Sequence, residues 1–267
     1  MIDIGVNLSN PRFAKDIEET LDRAQQAGVE KLILTGTSIE ESRAVATLCR
    51  SHSEVFPEML FATAGIHPHD ASTLDRESIS ILRELATQPE VVAIGEMGLD
   101  FNRNFSTPVE QEKAFEAQLE LAVELQLPVF LHERDAADRQ LQILKSYRDH
   151  LVDAVTHCFT GSKQALFGYL DLNMHIGITG WICDEKRGKE LQQLVNNIPL
   201  ERLMVETDAP YLLPKNMPEP PKGKRNEPAF LPWVIEGVAK YRDERAEQIA
   251  TATSFNAEKF FRLAEQT

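Results

Sequence analysis

Cysteine is scarce in this chain, with only Cys49, Cys158 and Cys183 among 267 residues. So small and odd a set excludes a disulfide-built scaffold and reads as reduced thiols in the cytoplasm. Long apolar runs are also missing. No window approaches the roughly 18 uninterrupted apolar residues of a membrane span. The opening stretch MIDIGVNLSN has neither the basic region nor the apolar core of a secretory signal. The expectation is a cytoplasmic protein with no membrane partner. Positive charge is in deficit: 28 Lys and Arg stand against 42 Asp and Glu, a net charge of −14. That balance argues against a sequence-independent duplex-DNA binder, which carries a basic face. A nucleic-acid substrate would have to be held locally, through a metal or a few cations. Charge blocks, low-complexity segments and short internal repeats are absent.

What is present is ordinary globular composition, 42% apolar and 26% charged. The length suits one α/β barrel and does not force a second domain, so residues 1–267 are expected to form a single domain. Eight short apolar or β-branched runs recur: IDIGVNL, KLILTGT, LFATAGIH, VVAIGEMGLD, LPVFLHER, AVTHCFTG, HIGITGWI and LMVETDAP. Helix-like segments separate them. In TPVEQEKAFEAQLELAVELQ, Thr107 is placed to cap, Pro108 to open the helix and Glu110 to complete a capping box. SIEESRAVATLCRSH and DEKRGKELQQLVNNI repeat the polar start and apolar stripe. Eightfold strand–helix alternation predicts a parallel sheet closed into a (β/α)8 TIM barrel, with an open doubly wound sheet as the alternative. The Pro-rich PKNMPEPPKGKRNEP after the last strand reads as an excursion over the barrel mouth.

Ligand-type residues cluster where these strands end. The third run leads into His67 and His69, the fourth into Glu96, the fifth into His132, the sixth into His157 and the eighth into Glu206 and Asp208. A barrel brings its strand ends to one rim, where its catalytic groups lie. A carboxylate and two imidazoles meeting there predict a divalent-metal site made by Glu96, His132 and His157. Such an ion would offset the cost of burying Glu96 after the apolar VVAIG. Cys158 adjoins His157, but neighbours on a strand face opposite ways, which argues against a Cys–His pair. The same alternation leaves Glu133 out of the site.

GIHPH (65–69), IGEMGLDF (94–101), LHERDA (131–136), HCFTG (157–161), GITGWI (177–182), VETDAPYL (205–212) and RNEP (225–228) resemble, in order, the motifs of the TatD family of metal-dependent hydrolases. The resemblance covers nearly the whole chain and implies an amidohydrolase-like barrel that cleaves phosphodiester bonds. By it, Glu96, His132 and His157 match metal ligands. Asp208 matches the strand-eight acid that accepts a proton from water, and His67 a histidine near the reacting group. One motif departs. Most members begin with a strand ending His-x-His, and here IDIGVNL places Gly5 and Asn7 at those positions. Gly5 offers no ligand and Asn7 only a neutral oxygen, which puts the usual two-metal site in doubt. The branch lacking this pair implies a magnesium-dependent, monomeric exonuclease working from the 3′ end of single-stranded DNA and RNA, with a part in repair of oxidative damage.

Ligand softness pulls the other way on the metal, since two imidazoles and a carboxylate suit Mn²⁺ or Zn²⁺ better than Mg²⁺. Magnesium is placed first on the resemblance. Arg134 and the KGKR run ending at Arg225 are candidates for pairing with phosphates. Phe101, Phe105, Trp181 and Tyr211 lie near strand ends, where an aromatic face can stack on an unpaired base. The same ligand set also serves amidases, esterases, deaminases and a deacylase of mischarged tRNA, and a barrel can persist as a non-enzymatic metal-binding scaffold.

Overall fold

Strand–helix alternation resolves, in a computed structural model describing residues 1–263, into eight parallel strands ordered β1 to β8 around a barrel. The strands are β1 (Ile2–Val6), β2 (Lys31–Leu34), β3 (Leu60–Ala64), β4 (Val91–Asp100), β5 (Val129–Arg134), β6 (Ala154–Thr156), β7 (His175–Ile178) and β8 (Leu203–Val205). The seam between β1 and β8 closes through a parallel bridge from Val6 to Ala209. Asn7 N donates to Ala209 O at 2.8 Å, and Asp208 N to Gly5 O at 2.9 Å. An open sheet would leave these edges apart.

The described helices are α1 (Ile17–Gln26), α2 (Ile39–His52), α3 (Arg76–Leu85), α4 (Pro108–Leu125), α5 (Ala137–Tyr147), α6 (Lys163–Asp171), α7 (Lys189–Leu194), α8 (Leu231–Ala239) and α9 (Ala246–Phe261). The α4 capping box forms as its sequence predicts, with Thr107 Oγ1 accepting from Glu110 N and Glu110 Oε2 accepting from Thr107 N. The segment DEKRGKELQQLVNNI is less helical than its pattern predicts. Asp184 accepts from the backbone N–H groups of Lys186 and Arg187 and so holds a turn, and α7 begins only at Lys189.

Two apolar clusters build the core. One lies between the strands and the surrounding helices. The other gathers strand residues such as Ile4, Ile33, Phe61, Phe130 and Met204 with Phe260 and Phe261 of α9. β4 is buried along all ten residues, as a strand sandwiched between barrel interior and helix layer must be. Its pairing with β5 slips by one residue between Ile94 and Met97, so Gly95 and Glu96 form a bulge. Gly95 has φ +139°, and a Cβ there would lie 2.1 Å from Phe130 O. Only glycine fits this position, and the bulge re-aims Glu96 into the mouth. Glu96 N is then satisfied by Gly36 O at 2.8 Å.

Candidate active site

Oxygen Oε1 of Glu96 is the hub of the mouth. His157 Nε2 lies 2.8 Å from it, His132 Nδ1 2.9 Å and His67 Nε2 3.4 Å. Four strands thus deliver one carboxylate and three imidazoles to a single point. Ligand atoms of His67, Glu96 and His132 all fall within 4.8 Å of one another, a group that takes in His67 and does not include His157, whose Nε2 nevertheless reaches Glu96 Oε1.

Beyond the hub, each inner imidazole turns its other nitrogen to a second carboxylate. His157 Nδ1 is 3.2 Å from Glu206 Oε2, and His132 Nε2 is 3.5 Å from Asp100 Oδ2. That last separation is too long for a good hydrogen bond, and His132 Nε2 is otherwise a buried nitrogen without a partner. Asp100 is held by His69 Nε2 at 2.8 Å and by the backbone N–H groups of Asn102 and Arg103. Glu206 is fully buried and also accepts from Cys158 N. It fits because two glycines leave room: a Cβ on Gly5 would meet Glu206 Oε2 at 2.2 Å, and one on Gly177 would meet Oε1 at 2.9 Å. Asp208 has φ +53°, and its Oδ1 accepts from Asn7 Nδ2 at 3.0 Å. In this arrangement Asn7 presents its amide N–H, not a ligand oxygen, to the site.

Electrostatics follow from the crowding of acids. Burial pushes the Glu96 carboxyl up, but the charges of His157 and His67 and the bonds from His132 and His157 outweigh it, leaving Glu96 well below the usual carboxylate range. For His157 burial favours the neutral ring, and the adjacent Glu96 and Glu206 overturn that and hold it well above an ordinary histidine. Desolvation, only partly offset by His157, combines with Glu206 and Glu96 to raise Asp208 to about 7. Glu96, Asp100 and Glu206 are all buried beside half-buried Asp208, and among the described residues none of them forms a salt bridge with Lys or Arg.

This donor set fits a divalent cation. Buried carboxylates in excess of fixed positive charge call for one. Ligating histidines characteristically rest their second nitrogen on a carboxylate, as His132 and His157 are placed to do. Asp100 and Glu206 are the residues whose supporting roles sequence reasoning missed. Asp100 lies four residues beyond Glu96, on the same face of one strand, and the glycines opposite Glu206 are cavities visible only in three dimensions.

The two arginine candidates separate. Arg134 ends β5 with an exposed side chain and makes no salt bridge among the described residues. Arg225 is committed elsewhere, and its expected role toward phosphate needs correction. Its guanidinium pairs with Asp16 Oδ2 at 2.6 Å and Glu227 Oε1 at 2.7 Å and covers the Phe13 ring. A cation so matched has its charge and donors already spent.

A closed parallel barrel with a His–carboxylate cluster at the carboxyl ends of its strands defines the class of metal-dependent barrel hydrolases. The sequence profile described as TatD related DNase matches residues 2–262, and the chain belongs to that family. A 3′-5′ ssDNA/RNA exonuclease TatD of a Pantoea species is 52% identical over 264 residues, covering 99% of this chain and all of that one. The protein of the same name from Salmonella typhimurium is 50% identical over 263 residues, covering 98% and 99%. Among solved structures, the TatD homolog YjjV of Escherichia coli superposes with TM-score 0.88 at 31% identity, covering 98% of both chains.

Proposed function

We propose that this protein is a divalent-metal-dependent exonuclease that removes nucleotides from the 3′ ends of single-stranded DNA and RNA. It acts as a cytoplasmic monomer that uses Mg²⁺ and contributes to repair of oxidatively damaged DNA. The observation that carries the chemistry is the convergence of His67, His132 and His157 on one oxygen of Glu96. Near-full-length identity of about half to proteins named 3′-5′ ssDNA/RNA exonucleases supports the substrate. No described helix is long and apolar enough to cross a membrane.

Glu96, His132 and His157 would hold the cation, with Asp100 and Glu206 fixing the two rings. The ion, when bound, supplies Lewis acidity toward a phosphate oxygen and acidifies water. Asp208 takes up the proton released as water attacks the phosphorus and the P–O3′ bond to the preceding nucleotide breaks, and the departing 3′ oxygen regains a proton from Asp208 or water. Without the ion, burial and the charges of Glu206 and Glu96, only partly offset by His157, raise its carboxyl to about 7, and a bound cation would bring it down from there. Asn7 keeps Asp208 Oδ1 oriented through its amide N–H. His67, whose Nδ1 accepts from His69 N and whose Nε2 faces the Glu96 hub, donates from Nε2 to the oxygen that gains charge. Arg134 offers an exposed guanidinium to the phosphate backbone just outside.

Single-stranded oligonucleotides labelled at either end provide the test. Mononucleotide release from the 3′ label at once and from the 5′ label only at the end is the expected pattern. D208N should lower turnover by about 10²- to 10⁴-fold while still binding metal. Near-normal turnover in D208N rejects the base assignment, and no digestion by the wild type rejects the function.

A further inference from the structure

Of the four aromatic side chains near the strand ends, two have their faces engaged. Phe101 is half-buried against the outer core. Arg187 lies 4.3 Å above the Trp181 ring, whose Nε1 is bonded to Arg187 O. Tyr211 is 51% exposed, with its hydroxyl committed to Asn10. Phe105 differs, being 66% exposed on the loop between β4 and α4.

That loop is cross-tied. Asn104 Nδ2 donates to Phe101 O at 2.7 Å, Ser106 Oγ donates to His69 O at 3.0 Å, and Ser72 N donates to Ser106 Oγ at 3.0 Å. Phe105 therefore stands in solvent on a braced support. Its ring meets His69 in a T-shaped contact at 4.8 Å. His69 in turn is 4.3 Å from His67 and 6.4 Å from His132, ring centre to ring centre. Phe105 is thus two ring contacts from the Glu96 hub, on the solvent side. Arg103 brings its guanidinium carbon to 5.9 Å from the Phe105 ring centre and makes no salt bridge among the described residues. The end of the same strand lies beside Arg134, with Phe101 N donating to Arg134 O at 2.9 Å.

An exposed aromatic face beside an unpaired guanidinium is the chemistry that grips single-stranded nucleic acid, because every base has a π-face and every nucleotide a phosphate. Ordinary surface exposure of a lone Phe needs no explanation. Here the braced loop, the adjacent Arg103 and the short path to Glu96 supply one. We infer that Phe105 is the stacking platform for an unpaired nucleobase within a nucleotide or two of the scissile phosphate, with Arg103 pairing with the neighbouring phosphate. The inference rests on the nuclease reading above and deepens it. Inside a duplex each base has both faces covered by neighbouring pairs, so this platform favours frayed or single-stranded ends.

The test uses full-length protein and oligonucleotides with one abasic position placed at each of the three nucleotides at the 3′ end in turn. With wild type, kcat/KM for the normal over the abasic substrate should be about 5- to 100-fold at one of these positions, carried mainly by KM. In F105A and F105L that ratio should fall toward one. In F105W and F105Y it should be restored, which a merely structural role for the loop would not produce with Tyr and Trp but not Leu. A ratio that stays at its wild-type value in F105A, or near one in the wild type at all three positions, overturns the platform while leaving the exonuclease intact. Absence of turnover by wild type on every oligonucleotide overturns the nuclease reading, and the platform with it.

Discussion

A missing side chain at position 5 shapes the site as much as any ligand does. Most family members carry a histidine there by the sequence resemblance, and here the space above Gly5 is taken by the Glu206 carboxylate. Glu206 in turn steadies His157 and accepts from Cys158 N. Even a methyl group on residue 5 would stand 2.2 Å from Glu206 Oε2, well inside contact distance. G5A should therefore push the carboxylate off His157 and weaken metal affinity and kcat/KM together, by about 10- to 100-fold, as loss of an outer-shell partner does. G223A is the control, since nothing lies within 4 Å of the Cβ it would add. Wild-type metal titration in G5A would show that Glu206 does not support His157.

Elements are held in register by ion pairs away from the chemistry. Asp16 precedes α1 and binds Arg225, from the loop after β8, and Arg23 of α1, while Glu227 closes the set by pairing with both arginines. The bonds from Arg225, with its charge and the contribution of Arg23, overcome burial and lower Asp16 to about 2. A carboxyl with a folded pKa below its unfolded value of 3.8 stabilises fully above about 4 and loses that contribution as pH falls toward 2. D16N should lower the melting temperature at pH 7 by a few degrees, corresponding to roughly 1 kcal/mol for a partly exposed network. The difference from wild type should shrink between about pH 4 and pH 2. A gap independent of pH over that range would mean that the charge on Asp16 contributes nothing. The same network explains why the KGKR run misleads: its last residue secures the β8 loop to α1.

The whole molecule gathers buried acids from β4 and from the residues after β8, and this concentration of like charge is tolerable only with compensation. Metal binding should therefore report as global stability. Chelator-treated protein should gain roughly 5–10 °C in melting temperature at a cation concentration about 100 times Kd, following mass action. E96Q should show no such gain. Zn²⁺ and Mn²⁺ should reach half the shift at lower concentration than Mg²⁺, because imidazole ligands favour them. Mg²⁺ should nevertheless restore turnover, and restoration by Zn²⁺ but not by Mg²⁺ would overturn the magnesium assignment. Net charge of −14 places a further demand on the molecule, since a polyanionic substrate must be met by local cations such as Arg134 and Arg103.

Much of this was legible in the chain. Period and composition define eight strands, the α4 capping box is local chemistry between Thr107 and Glu110, and the placing of Glu96 in β4, His132 in β5 and His157 just after β6 follows from the strands themselves. Such features depend on residues close in sequence, so one dimension suffices to read them. Partnership was decided only by closure of the barrel. That His67 joins the Glu96 hub, that Asp100 and Glu206 stand behind the imidazoles, and that Arg225 turns to Asp16 instead of the mouth are contacts between segments from 29 to 209 residues apart. Sequence names the groups able to pair; the twist of the strands, the bulge at Glu96 and the space left by Gly5 and Gly177 select which of them meet, because distance and packing exist only in the folded chain.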